Sequence, residues 1–124
     1  MSDNVRRVTI IDDEKEFVNI LKEFLERKNF VVSSAHDGIS GLELILKGKP
    51  DIVLLDLSMP GMDGRDVLRK VRQNEETKNT PIIILSAKDE PFEQEYGMEL
   101  GASAYITKPY SVHGLMKKID SLIG

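Results

Sequence analysis

Ile52-Val53-Leu54-Leu55-Asp56 is the most informative segment of the sequence, because four consecutive apolar residues end directly in a carboxylate. A strand with one solvated face alternates apolar and polar residues, whereas this run is apolar at every position. Such a run is typical of a strand buried on both faces, as in a parallel sheet covered by helices. It therefore predicts a central strand with Asp56 at its carboxyl end.

Four further apolar runs surround this one, and a segment with helical spacing separates each run from the next. The predicted strands are residues 8–11, 30–35, 52–55, 82–85 and 104–107. In the segments between them, apolar residues recur three or four positions apart, as in amphipathic helices. Because parallel neighbours need crossover connections, five strands alternating with five helices predict an α/β fold with helices on both faces of the sheet.

The predicted helices carry recognisable cores and ends. In the first helix, the residues at helical spacing are Phe17, Ile20, Leu21, Phe24 and Leu25. Pro91 fits the first turn of the fourth helix, where a missing N–H is tolerated, and Gly101 fits its C-terminal cap. Ser111 is a candidate N-cap of the fifth helix. Pro60-Gly61 predicts a turn before the third helix.

Composition bounds the class of protein. At 124 residues the chain has the size of one domain, so we expect a single domain over residues 1–124. The net charge of -4 disfavours direct nucleic acid binding, and the absence of cysteine excludes disulfides and thiolate metal sites. No apolar run approaches the roughly 20 residues that span a bilayer, so we expect a cytoplasmic protein without membrane insertion.

Polar residues follow the predicted strands at the points where they end. In an open parallel sheet, the carboxyl ends of all strands lie along one edge, where ligands bind at the change in strand order. The residues at these ends, each able to hold a metal, a phosphoryl group or a proton, are Asp12, Asp13, Asp56, Ser86, Thr107 and Lys108. We therefore expect the functional site at this edge.

The three aspartates have a purely structural explanation, as turn or cap residues, and a functional one. A lone aspartate after a strand is usually a turn or a cap, and Asp12-Asp13 also fits the N-cap and first turn of the first helix. Three acids at one edge repel one another, however, and each pair about 4 Å apart costs on the order of 4 kcal/mol at an effective dielectric of 20. A bound hard cation such as Mg²⁺ removes that cost, so a metal site is the better interpretation.

Lys108 and Ser86 are weaker signals when each is taken alone. A lysine at a strand end is usually solvated, and a serine can simply end a strand. At this edge, Lys108 would supply a fixed positive charge and Ser86 a hydroxyl for a phosphoryl oxygen.

The bond before Pro109 is a candidate cis peptide bond. His36 and His113 have no partner at metal-ligand spacing, so both are expected on the surface.

Four segments carry these residues: Ile11-Asp12-Asp13-Glu14, Leu55-Asp56-Leu57-Ser58-Met59-Pro60-Gly61-Met62-Asp63-Gly64, Leu85-Ser86-Ala87 and Tyr105-Ile106-Thr107-Lys108-Pro109. Together they resemble the receiver domain of two-component response regulators, over essentially the whole chain. The resemblance implies a flavodoxin-like, five-stranded parallel sheet in the order 2-1-3-4-5 with five helices.

The same resemblance implies a role for each residue of the site. Asp56 corresponds to the phosphoacceptor and Lys108 to the lysine that pairs with the phosphoryl group, while Ser86 and Tyr105 correspond to the switch pair. The implied Mg²⁺ site, which Mn²⁺ would also occupy, consists of Asp12 (mainly through water), Asp13, Asp56 and the backbone carbonyl of Ser58.

These roles imply a signalling switch rather than a turnover enzyme. A sensor histidine kinase or phosphotransfer protein would donate the phosphoryl group to Asp56, and the domain would promote its own phosphorylation and dephosphorylation. The surface formed by the fourth helix, fifth strand and fifth helix would then change and bind a downstream protein target. The resemblance implies a monomer or a weak, phosphorylation-dependent dimer.

Three alternatives belong to other classes. A degenerate, binding-only receiver usually lacks the acceptor aspartate or the lysine, and both are present here. A flavodoxin-like electron carrier needs a phosphate-cradling first loop, whereas Asp12-Asp13-Glu14 would repel the FMN phosphate. A hydrolase using Asp56 as its nucleophile would need an additional cap or an acid–base pair that the sequence does not display.

Overall fold

The computed structural model describes residues 5–59, 61–88 and 90–124, so Pro60 of the predicted turn lies outside the described residues. The strands are β1 (Arg6–Ile11), β2 (Phe30–Ala35), β3 (Ile52–Leu55), β4 (Ile82–Ser86) and β5 (Ala104–Thr107). The helices are α1 (Lys15–Arg27), α2 (Gly38–Gly48), α3 (Gly64–Gln73), α4 (Pro91–Glu99) and α5 (Val112–Ile123). The predicted alternation of strand and helix is confirmed.

The strands form one parallel sheet in the order β2-β1-β3-β4-β5, which confirms the predicted fold class. The chain leaves β1 to build β2 on one side and then returns to build β3 on the other side. The strand order therefore changes direction between β1 and β3. In the sheet register, Ile11 of β1 lies beside Leu55 of β3, so the residues that follow these two strands are neighbours.

The central strand β3 is buried on both faces, as its unbroken apolar run predicts. Its side chains alternate between two hydrophobic clusters, one on each face of the sheet. Leu54 packs in the cluster that also holds buried residues of α1 and α5, such as Leu21 and Leu115. Leu55 packs in the cluster that holds buried residues of α2 and α3, such as Ile45.

The predicted core face of α1 is partly wrong. The buried residues are Val18, Leu21 and Leu25, whereas Ile20 is 71% exposed. An α-helix turns about 100° per residue, so Ile20 lies roughly 200° around the helix from Val18 and faces away from the sheet. Ile20, Phe17 and Phe24 instead line an apolar groove of about 510 Å³ between α1 and residues 108–112.

The predicted helix ends are confirmed. Pro91 is the first residue of α4, and Gly101 lies just after the Leu100 cap with a φ of 113°. The Ser111 hydroxyl accepts a hydrogen bond from the Gly114 N–H at 2.8 Å, as an N-cap of α5 does. In the described part of the chain, no helix combines the length and hydropathy needed to cross a membrane.

The packing of α2 on β1 gives a test of the fold. A Cβ atom added at Gly41 would lie 2.6–2.8 Å from three side-chain atoms of the fully buried Ile11. We expect Gly41→Ala to destabilise the protein by on the order of 1–3 kcal/mol, because Ile11 must move within a packed core. Urea unfolding measures this difference in the free energy of unfolding.

Gly48→Ala, at the end of the same helix, is the matched control. A Cβ atom there meets nothing within 4 Å. The alanine should therefore leave the free energy of unfolding unchanged or raise it by up to about 1 kcal/mol, because it reduces the freedom of the unfolded chain. Equal effects of the two substitutions would contradict the close approach of α2 to β1.

Candidate functional site

The polar residues predicted at the strand ends are held there by hydrogen bonds that continue the sheet. The Asp56 N–H donates to the Ile11 carbonyl at 2.9 Å, and the Lys108 N–H donates to the Ser86 carbonyl at 2.8 Å. The Asp12 N–H likewise donates to the Ala35 carbonyl at 3.1 Å. Each of these side chains therefore starts from backbone that is fixed by a neighbouring strand.

The structure brings the three predicted aspartates together. One carboxylate oxygen from each of Asp12, Asp13 and Asp56 lies within 4.8 Å of the other two. Asp12 is 2% exposed and Asp56 is 7% exposed, whereas Asp13 faces solvent. Two of the three carboxylates are therefore removed from water while a third lies beside them.

Capping of α1 does not explain these acids. The helix begins at Lys15, and its N-cap residue is Glu14, whose side chain makes no capping hydrogen bond. Asp12 Oδ1 accepts a hydrogen bond from the Glu14 N–H at 2.9 Å, which shapes the loop before the helix. The purely structural explanation of Asp12-Asp13 as the N-cap and first turn is thus wrong for this helix.

The Lys108 ammonium sits among the carboxylates. Its Nζ donates to Asp12 Oδ2 at 2.8 Å and to Glu14 Oε1 at 2.9 Å, and lies 3.7 Å from Asp56 Oδ2. It also lies 4.5 Å from the centroid of the Phe17 ring. Burial by itself would lower the pKa of Lys108, but the hydrogen bonds to Asp12 and Glu14 outweigh it, so the pKa is raised. Lys108 is therefore a fixed positive charge.

Asp56 has an unusual acidity for an aspartate. Burial raises its pKa to about 6, the charge of Lys108 opposes this rise, and the charge of Asp12 adds to it. The Ser58 N–H donates to Asp56 Oδ1 at 3.2 Å and favours the ionised form. The positive charge of Lys108 thus only partly compensates for the burial and the negative charges that raise the pKa of Asp56.

The two predicted switch residues contact the same residue of the loop between β4 and α4. The buried Ser86 hydroxyl accepts from the Lys88 N–H at 3.1 Å, and the Tyr105 hydroxyl donates to the Lys88 carbonyl at 2.8 Å. The Tyr105 ring lies beside Gly97, which is the buried residue of α4. The backbone of Lys88, in the loop before α4, therefore links the two side chains.

An arginine connects α4 to the loop that follows Asp56. Arg65, near the start of α3, donates to both carboxylate oxygens of Asp63 at 3.2 Å and to Glu93 of α4 at 2.6 Å. The side chains of Arg65 and Glu93 are 18% and 13% exposed, so this ion pair is largely shielded from water. The loop that follows Asp56 and α4 thus share a charged contact.

Two residues beside the site make contacts that the sequence did not indicate. His36 is partly buried, and its Nδ1 donates to the Asp12 carbonyl at 3.0 Å. Gly64 lies in the motif around Asp56, but the sequence did not indicate its role. A Cβ atom at Gly64 would lie 2.7 Å from Leu57 Cα. His113 is exposed as predicted, and the bond before Pro109 is cis.

The raised pKa of Asp56 makes stability depend on pH in a definite direction. Between pH 4 and pH 7, the native state holds more protons at Asp56 than the unfolded chain, whose aspartate pKa is near 4. The free energy of unfolding should therefore fall as pH rises through this window, by on the order of 2 kcal/mol from this group. Urea unfolding of the wild type and Asp56→Asn in metal-free buffer measures the difference.

The wild type should lose stability relative to Asp56→Asn as the pH approaches 7. A difference that stays constant, or that moves in favour of the wild type, would show that the Asp56 carboxyl is not buried among like charges.

Comparison with known proteins agrees with this geometry. The family model for the response regulator receiver domain matches residues 8–120. The receiver domain of the Francisella response regulator 1452 is 32% identical, with 95% of this chain and 96% of that chain covered and a TM-score of 0.88. The BeF3-activated N-terminal receiver domain of Klebsiella pneumoniae RstA is 27% identical (95% and 98% covered, TM-score 0.89).

The chemotaxis response regulator CheY4 of Vibrio cholerae is 26% identical, with 96% of this chain and 99% of that chain covered and a TM-score of 0.90. The family model spans most of the chain and includes every strand end that carries a site residue. The chain therefore belongs to the response regulator receiver domain family of two-component signalling.

Proposed function

We propose that Asp56 is the acceptor of this phosphorylation switch and takes a phosphoryl group from a phosphohistidine on a sensor histidine kinase or a phosphotransfer protein. The observation that carries the proposal is a buried carboxylate at the end of β3 with Lys108 Nζ 3.7 Å away and two further carboxylates beside it. A carboxylate oxygen attacks phosphorus, the P–N bond breaks, and the imidazole nitrogen leaves with the bonding electrons.

The acidity of Asp56 suits this role at neutral pH. With a pKa of about 6, about nine tenths of the Asp56 carboxyls are ionised at pH 7 and can act as nucleophiles. Lys108 neutralises charge on the phosphoryl oxygens, and the Ser86 hydroxyl is placed at the same edge to donate to one of them. Phosphoryl transfer depends mainly on such positioning and charge stabilisation.

The acidic cluster fits a Mg²⁺ ion, because its donors are carboxylates with oxygens within 4.8 Å of one another. We assign Asp13, Asp56 and the Ser58 carbonyl as direct ligands. Asp12, whose two oxygens accept hydrogen bonds from Glu14 and Lys108, is assigned a water-mediated contact with the ion, as the family resemblance implies. When bound, the ion supplies positive charge to the phosphoryl oxygens; Mn²⁺, which also prefers oxygen ligands, would substitute.

Occupation of Asp56 would be transmitted through Ser86 and Tyr105. In the unmodified protein the Ser86 hydroxyl accepts a hydrogen bond from the Lys88 N–H. A phosphoryl group on Asp56 would give this hydroxyl a new partner. Tyr105 donates to the Lys88 carbonyl and lies against Gly97. A change at Ser86 therefore biases the position of α4, and the surface formed by α4, β5 and α5 would present the signal to a downstream protein.

The extent of the domain, its location, its oligomeric state and its lack of an external substrate are proposed as well. We propose a single domain over residues 1–124 that acts in the cytoplasm as a monomer or a weak, phosphorylation-dependent dimer, without binding nucleic acid directly. It promotes its own phosphorylation and dephosphorylation but turns over no external substrate. The net charge of -4 supports a protein partner over nucleic acid.

Labelling with a small phosphodonor tests the acceptor. Acetyl phosphate with Mg²⁺ should add one phosphoryl group per chain, seen as one mass increment on the intact protein, and Asp56→Asn should show none. Asp66→Asn, which changes an exposed aspartate of α3, is the matched control and should be labelled like the wild type. Full labelling of Asp56→Asn would remove Asp56 from the acceptor role.

Thermal unfolding tests the metal site. Millimolar Mg²⁺ should raise the Tm of the wild type, because the ion binds the clustered acids in the native state and not in the unfolded chain. Asp13→Asn removes one direct ligand and part of the repulsion, so most of this increase should disappear. A wild-type Tm that is insensitive to Mg²⁺, or an equal increase in Asp13→Asn, would contradict the assignment.

A further inference from the structure

Glu14 is the acidic residue of the first loop to which no metal or acceptor role is assigned. Its carboxylate is not part of the cluster formed by Asp12, Asp13 and Asp56, and it does not cap α1. Instead it accepts a hydrogen bond from Lys108 Nζ at 2.9 Å, across 94 positions of sequence. A side chain at the start of α1 therefore reaches Lys108, the residue that follows β5.

Three carboxylates compete for the Lys108 ammonium. Asp12 and Glu14 hold it at 2.8 and 2.9 Å, within hydrogen-bond distance, whereas Asp56 lies 3.7 Å away, outside it. The Phe17 ring, 4.5 Å from Nζ, adds a cation–π contact on the α1 side. Glu14 and Phe17 thus draw the ammonium towards α1 and away from Asp56.

The two strong partners of Lys108 differ in how easily they can be exchanged. Asp12 has a side chain 2% exposed, so losing its ammonium would leave a buried charge unpaired. The Glu14 side chain is 63% exposed, and water can replace its partner at little cost. When another anion arrives at Asp56, Glu14 is therefore the partner that Lys108 gives up.

We propose that Glu14 is a positioning residue that holds Lys108 towards α1 while Asp56 is unmodified, and so competes with the phosphoryl group for the lysine. The inference rests on the proposed function of Asp56 and adds a regulatory part to it. Glu14 sets how favourable occupation of the acceptor is, because each occupation must break the contact between Glu14 and Lys108. An exposed ion pair of this kind changes an equilibrium by up to about fivefold.

The affinity for beryllofluoride, which mimics a phosphoryl group on an aspartate, tests the proposal with Mg²⁺ present. Glu14→Gln should bind beryllofluoride about two- to fivefold more tightly than the wild type. Glu16→Gln, two residues along in the first turn of α1, makes the same change in net charge on an exposed side chain and should bind like the wild type. In the Lys108→Ala background, Glu14→Gln should produce no gain.

Unchanged or weaker binding by Glu14→Gln would overturn the inference. An equal gain in Glu16→Gln, or a gain that persists without Lys108, would also overturn it, because the effect would then be general charge repulsion of the anion.

A second readout needs no ligand and separates this inference from the acceptor assignment. In NMR spectra of the free protein, Glu14→Gln should shift the side-chain resonances of Lys108, and Glu16→Gln should leave them in place. If Glu14→Gln does not shift the Lys108 resonances, the contact between Glu14 and Lys108 is refuted. If the shift is seen but the wild type binds no beryllofluoride, the proposed function of Asp56 is refuted instead.

Discussion

The contact of Lys108 with the crowded carboxylates of Asp12, Glu14 and Asp56 governs the electrostatics of this sheet edge. Asp12 and Asp56 are almost fully buried, and Asp13 adds a third charge beside them. At an effective dielectric of about 20, two such charges about 4 Å apart repel by on the order of 4 kcal/mol. Lys108 offsets part of this repulsion, but burial, together with the charge of Asp12, still raises the pKa of Asp56 to about 6. A divalent ion among these carboxylates would complete the compensation.

The sheet makes this arrangement possible because it fixes each charged residue by its backbone. The change of strand order between β1 and β3 places Asp12 and Asp56 side by side, and hydrogen bonds from their N–H groups continue the sheet beyond the strand ends. Ser86, which ends β4, and Tyr105 of β5 both hydrogen-bond to the backbone of Lys88 before α4. The loop that leads from β4 to α4 is therefore connected to two side chains of the sheet.

The sequence was sufficient to predict elements whose signals are local. The apolar run of β3 and the Ser111 cap are examples, while the strand order came from the family resemblance. The rotation of α1 was misjudged at Ile20, because Phe17 and Phe24 extend the apolar pattern beyond the stripe that the sheet covers. Contacts between distant segments, such as Glu14 with Lys108, leave no periodic signal, since each residue alone has the composition of a solvated surface.

Titration of the Asp56 side-chain carboxyl carbon by NMR measures whether the clustered acids share one cation site. In metal-free buffer, crowding and burial predict an apparent pKa of about 6, and saturating Mg²⁺ should move it well below that value. A carboxyl that titrates near pH 4 without metal, and that does not respond to Mg²⁺, would contradict the claim that these acids share one cation site.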